Sequence, residues 1–214
     1  MKFCMGERYV GCGSSGEKMI LEGTPGNALG AYLDGSVIIL YGNAQEATGD
    51  TMNNGCITIH GNTGDAAGYA MRGGKIFVRD NAGYRAGIHM KAYKDKNPIL
   101  VIGGKAGSFL GEYQAGGIIV VLGLGYEDVC PVGNFCGTGI HGGKIFIRTT
   151  HLPADIPAQV IARKATEEDM ELARPYIKEF CSKFEKDEEK ILQSEYYVLE
   201  PNSKSPYKQL YVYN

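Results

Sequence analysis

The side chains of this sequence able to do chemistry are four histidines, six cysteines and a scatter of carboxylates. His60, His89, His141 and His151 would suit a metal ion, within the chain or across a subunit interface, but their placement, set by the repeat described below, favours exposed polar side chains. The cysteines at 4, 12, 56, 130, 136 and 181 form no Cys-x-x-Cys pair of the kind that holds zinc or an iron–sulfur cluster. They are too few and too scattered for a secreted disulfide scaffold, and read as free cytoplasmic thiols. Gly13-Ser-Ser-Gly16 is a flexible turn and not a nucleophile elbow. Asp34, Glu46, Asp50, Asp65, Asp80 and Glu112 supply no pair on one face with acid/base spacing. Gly103-Gly-Lys-Ala-Gly107 lacks the aspartate of a calcium nonapeptide, and the glycine pairs match a dinucleotide fingerprint in letters only, because no βαβ unit surrounds them. No catalytic, cofactor-binding or metal-binding residue is therefore assigned, and no cofactor is expected.

The residues that would have to position any such group belong to a repeat. At a step of 19 residues, Gly26/Gly30, Gln45/Gly49, Gly64/Gly68 and Gly83/Gly87 keep one four-residue offset, which Gly107/Gly111 and Gly133/Gly137 continue at steps of 24 and 26. Apolar positions fix the register better than glycine, which is abundant (31 of 214). One rail runs Met19, Ile38, Ile57, Ile76, Leu100, Ile119, Ile145; the other runs Leu21, Leu40, Ile59, Val78, Ile102, Val121, Ile147. A two-residue offset puts both rails on one face of a strand. Strands returning in the same direction at this period, with no helical pattern between them, predict a right-handed single-stranded parallel β-helix of about seven coils, each strand burying one face. Pro98 occupies the slot used by Gly55, Gly74, Gly117 and Gly143, where it can start a strand but leaves its corner without an N–H. His60 follows an inward position and should point outward; His89 and His141 fall in turns of non-adjacent coils.

Composition removes several classes of function. A net charge of −2 gives no electrostatic case for nucleic acid. The sequence has no apolar run approaching membrane-spanning length and no apolar signal core at its start, which predicts a cytoplasmic protein without membrane contact. Residues 1–150 are read as the β-helix domain, with 1–17 covering its first end, and 151–214 as a linker, a helical extension and a tyrosine-rich tail. Insertions at Lys91–Asn97 and Leu124–Pro131 form loops, either contact-bearing or padding. Thr166-Glu-Glu-Asp169 reads as a capping box opening a helix with Leu172, Tyr176, Ile177, Phe180 and Phe184 as its apolar stripe. Pro175 should kink or split that helix, and Lys/Glu-rich 183–190 should be a solvated helical face. Tyr196-Tyr-Val-Leu199 and Pro206-Tyr-Lys-Gln-Leu-Tyr-Val-Tyr213 should dock onto a partner or cover an end of the solenoid.

Gly111-Glu-Tyr-Gln-Ala-Gly-Gly117 followed by Gly133-Asn-Phe-Cys-Gly137-Thr-Gly-Ile-His-Gly-Gly143 resembles the GXGXG domain, the C-terminal β-helix of the glutamate synthase large subunit, over roughly residues 5–150. A similar domain forms one of the subunits of formylmethanofuran dehydrogenase. The resemblance implies a non-catalytic structural subunit of a glutamate synthase-like complex, in glutamate biosynthesis and nitrogen assimilation. Its partners would be the glutaminase and the FMN/iron–sulfur synthase components, with a homo-oligomer also possible. No catalytic residue carries over, since position 2, where the glutaminase has its nucleophilic cysteine, is Lys2. The formylmethanofuran dehydrogenase role is the alternative. A β-helix acyltransferase or carbonic anhydrase relative is a further rival, opposed by the 19-residue step where those prisms show six-residue repeats.

Overall fold

A computed structural model describes residues 1–202, and the tyrosine-bearing stretch Pro206–Tyr213 lies outside the described residues. Eight strands pair in sequence order and in parallel: β1 (Lys2–Met5), β2 (Lys18–Thr24), β3 (Asp34–Gly42), β4 (Asn54–Ile59), β5 (Lys75–Val78), β6 (Ile99–Ile102), β7 (Ala115–Val121) and β8 (Gly142–Arg148). The pairing Met19↔Ile38↔Ile57↔Ile76↔Leu100↔Ile119↔Ile145, with Leu21 through Ile147 beside it, reproduces both apolar rails position by position. The result is a β-solenoid of about six turns, slightly fewer than the seven coils expected. Both insertions loop out without shifting the register.

Turn residues fill the interior from the other side. Leu33, Met52, Met71 and Met90 stack in one column at the 19-residue step, and Leu29, Ala67, Ala86, Leu110 and Cys136 in another; all are buried against the rails. Gln114 takes the next place in the methionine column, fully buried, its amide donating to Gly116 O and Gly117 O at 3.1 Å each.

Several expectations need correction. Residues 1–17 do not cover the first end but continue the solenoid: Lys2 pairs with Leu21 at the same 19-residue step, and Tyr9, Gly11 and Gly13 turn with positive φ as later coils do. The strands β5–β8 are buried on both faces, because Phe77, Val101, Val120 and Phe146 point outward beneath α1 (Glu167–Phe184). Helix α1 runs unbroken through Pro175, since burial of Ala173, Ile177 and Phe180 on either side of the proline offsets the lost backbone bond. The capping box at Thr166 and Asp169 forms, but the buried stripe is Met170, Ala173, Ile177, Phe180, Cys181 and Phe184, leaving Leu172 exposed. The charged run after Phe184 breaks at Glu185, whose φ of 52° ends α1, and Asp187 then caps the short α2 (Glu188–Leu192).

Two strands unforeseen from the sequence close the far end. The strand β10 (Tyr196–Pro201) pairs antiparallel with β8, and β9 (Val160–Lys164) pairs antiparallel with β10. Leu199 sits opposite Ile145 and prolongs its rail. The stretch Tyr196–Leu199 thus covers a solenoid end of its own chain.

Candidate functional site

With the interior filled by side chains, the functional surface of this molecule is its walls. The outer sheet face over β5–β8 is occupied by α1, which leaves the wall made by the turns. Its backbone follows one rule in every coil: residues i, i+2 and i+4 are left-handed, as in Arg85 (57°), Gly87 (69°), His89 (56°) and again in Phe109, Gly111, Tyr113. Their N–H groups point alternately to the coils above and below: Arg85 N donates to Ser108 O (2.9 Å), Gly87 N to Ala67 O (2.7 Å) and His89 N to Glu112 O (2.8 Å). Alternating right- and left-handed residues make N–H concavities that can hold anions, but these donors are already used between coils. The glycine pattern therefore builds a wall and not a phosphate cradle. Two of its glycines illustrate the separate demands. At Gly87 the positive φ is joined by a Cβ that would stand 2.5 Å from Ile119 Cδ1, while at Gly107 a Cβ would stand 2.8 Å from Gly83 backbone in the preceding coil.

Large side chains also occupy this strained backbone. The first left-handed position carries Tyr9, then Ala28, Ala47 and Ala66, then Arg85, Phe109 and Phe135, and the third carries Tyr32 in an early coil and His89 and Tyr113 in later ones. Tyr84, Phe109 and Phe135 run up the wall with centroids 5.4 and 5.0 Å apart. Beside them His89 stacks on Tyr113 at 5.2 Å and meets Tyr69 edge-on at 6.0 Å. The Arg85 guanidinium lies 4.8 Å from the Tyr84 centroid and 5.4 Å from that of Phe109, and its Nε donates to the buried Glu112 carboxylate at 2.7 Å. Toward the N-terminal coils the same wall bears Glu46, Asp50 and Asp65, none of them in an ion pair among the described residues. Asp65 accepts a hydrogen bond from Tyr84 N at 2.8 Å and Asp50 one from Thr51 Oγ1 at 2.8 Å.

The residues weighed above for chemistry are not brought together. Among the described residues no group of three or more His, Cys, Asp or Glu is arranged to hold a metal ion. His60 is half-buried, stacked 4.5 Å from Tyr41 and edge-on to Phe184 at 5.0 Å, and burial, reinforced by Arg79 and Lys183, holds its pKa below the usual histidine value. The His141 ring nitrogen Nδ1 lies 3.1 Å from Gly139 O, and His151 contacts Thr150 Oγ1 at 2.9 Å. All six cysteines are unpaired. Burial pushes the thiols of Cys4, Cys56, Cys130, Cys136 and Cys181 up, Cys136 most of all, so these sulfurs lack thiolate character.

A buried ionic knot fastens the helical extension to the solenoid. The Asp169 carboxylate, 5% exposed, accepts from Lys144 Nζ at 2.6 Å, from Arg163 at 2.5 and 3.1 Å, and from Thr166 N at 3.0 Å. Glu200 completes it, 3.2 Å from Lys144 and 3.0 Å from Arg163. Strands β8, β9 and β10 and the start of α1 meet at this point. The Arg163 hydrogen bonds, followed by those of Lys144 and Thr166, hold the Asp169 carboxyl far below the usual carboxylate range.

A packed β-solenoid whose turns set left-handed residues at every second position, closed at one end by two antiparallel strands and flanked by a helix, defines a repeat scaffold that offers walls for contact. The model of the GXGXG motif family matches residues 5–202, and the chain belongs to that family, the one its resemblance to the C-terminal domain of glutamate synthase pointed to. An uncharacterized protein of Methanocaldococcus jannaschii is 48% identical over 129 residues, covering 58% of this chain and 49% of that relative. The match thus spans about half the length of the relative. No helix among the described residues is long and apolar enough to cross a membrane.

Proposed function

We propose that the chain is a non-catalytic structural and interaction subunit of a glutamate synthase-like complex, docking a glutaminase component and an FMN/iron–sulfur synthase component. The observation that carries this reading is the packed interior of a GXGXG-family solenoid. Rails and turn columns are almost wholly without solvent exposure, so the chain meets other molecules through its outside walls. A solenoid with flat sides offers broad docking area. Co-expression with glutaminase and FMN/iron–sulfur synthase chains, followed by size-exclusion chromatography, should give one co-eluting complex. The chain purified alone should lack absorption at roughly 350–500 nm, where flavins and clusters absorb. A stoichiometric chromophore on the isolated chain, or no complex with either component, would refute the reading.

A further inference from the structure

We infer that the turn wall is the docking face for a partner protein that sets an apolar patch against the aromatic rings and a basic cluster against the acidic coils. This rests on the docking function proposed above and specifies its surface. Tyr69, Tyr84, Tyr113 and Phe135 are 37–46% exposed on one wall, and clustered rather than single exposed apolar side chains mark contact surfaces. Two of these rings, Tyr113 and Phe135, pair this exposure with φ of 53° and 58°, a backbone where Ala70 and Ala66 serve in an earlier coil.

The geometry selects the kind of partner. Tyr113 is held between His89 on one face and Gly139 on the other, and Arg85 covers Tyr84 and Phe109. Faces of Tyr84, Phe109 and Tyr113 are thus taken within the chain. Bases and sugars, which need a free face to stack on, fit poorly, whereas ring edges with tyrosine hydroxyls are the material of protein–protein contacts. Charge then separates a different protein from a second copy. The wall is acidic at Glu46, Asp50 and Asp65 and carries no net positive charge along the rings, since Glu112 neutralises Arg85 and the Asp155 carboxylate accepts from Phe135 N at 3.0 Å. A two-fold axis midway along the wall would set the carboxylates of each copy against the rings of the other, one through the rings would leave the carboxylates without a basic partner, and one along the solenoid axis would set carboxylates on carboxylates. A partner with lysines or arginines beside an apolar patch satisfies both halves.

The test uses the full chain co-expressed with the glutaminase and synthase chains. Tyr84→Ser with Phe135→Ser should weaken the complex about 10-fold or more, as loss of central aromatic anchors does. Glu46→Lys with Asp65→Lys should slow association, with the effect fading at high salt. Leu172→Ser and Ile161→Ser, at 47% and 42% exposed hydrophobic residues away from the wall, should change affinity less than about 2-fold. Unchanged melting curves show that the variants stay folded. A stable complex indifferent to all wall variants would overturn the wall while leaving the docking function intact; absence of any complex would remove both. Wall-dependent dimerisation of the isolated chain in sedimentation would overturn the choice of partner.

Discussion

Replacing Asp169 by asparagine keeps the side chain's size but removes one negative charge from the knot that joins α1, β8, β9 and β10, and turns one accepting oxygen into an amide donor facing other donors. The carboxylate is 5% exposed and accepts from two cations and from the Thr166 backbone, while Lys144 and Arg163 keep Glu200 as a second partner. Breaking a buried ion pair costs about 3–5 kcal/mol when the remaining charge is stranded. Here Lys144 is 25% and Arg163 37% exposed and both retain Glu200, so solvent and that carboxylate reduce the cost to about 2–4 kcal/mol. For a domain of this size that corresponds to a melting temperature lower by roughly 5–15 °C at pH 7. The sign of the pH dependence follows from the depressed carboxyl pKa. Stability from Asp169 is fully present above the unfolded value of about 4 and is lost as pH falls below it toward the folded value. Wild type should therefore lose melting temperature steadily below about pH 4, and the Asp169→Asn variant should show a shallower acid slope. Calorimetric scans of both between about pH 2 and 8 decide the matter. Equal melting at neutral pH, or parallel acid slopes, would refute the role given to the knot.

Pro175→Ala restores an N–H inside α1 and should stabilise the chain by about 2 kcal/mol, the helix penalty of ~3 less the flexibility returned to the unfolded chain, read from denaturant midpoints. Gly87→Ala should cost about 2–4 kcal/mol from the left-handed backbone and the contact with Ile119 Cδ1; combined with Ile119→Val, which removes that methyl, the loss should fall short of additivity by at least about 1 kcal/mol. Among the thiols, Cys12 is exposed and should react with a disulfide reagent at once, Cys130 slowly, and Cys136 only after denaturation, as followed by mass spectrometry. The His60 ring should titrate in NMR below its ordinary ~6.5, so its neutral form contributes stability above that pH that fades as pH falls; a midpoint above ~6.5 would contradict its packing against Tyr41 and Phe184.

The solenoid was legible because its order is one-dimensional. A strand stacked on its own previous copy must repeat the same apolar residue at the same step, so Ile57, Ile76 and Leu100 announce their neighbours with no long-range inference. The helix cap was equally local. Much of what failed depended on contacts distant in sequence. That Phe77 and Val101 face a helix about a hundred residues later is written only as apolar runs too continuous for a strand with one wet face, as in Ile99-Leu-Val-Ile102 beside Lys18-Met-Ile-Leu-Glu22. Strand β10 pairs antiparallel with β8 some fifty residues before it, and no period reaches across that gap. The position of Met52, Met71 and Met90 at the step of 19 was available as a signal, but it lies in turns, where apolar periodicity is not normally sought.

The wall was the least legible feature, for a physical reason. Its left-handed positions follow the GXGXG spacing, but glycine holds only the middle one reliably; the flanking ones carry Ala66 and Ala70, then Arg85 and His89, then Phe109 and Tyr113. A composition rule that assigns positive φ to glycine sees one residue of three. What fixes the other two is the ladder of N–H bonds to the coils on either side, which over-determines the backbone once Gly87 and its counterparts are in place. Freed from choosing the backbone, those flanking side chains can vary with little effect on the fold. Large rings at these strained places, Tyr9 and Tyr32 in the first coils and Phe109, Tyr113 and Phe135 in the later ones, therefore point to selection for something they touch, and to a surface whose residues the scaffold itself does not require.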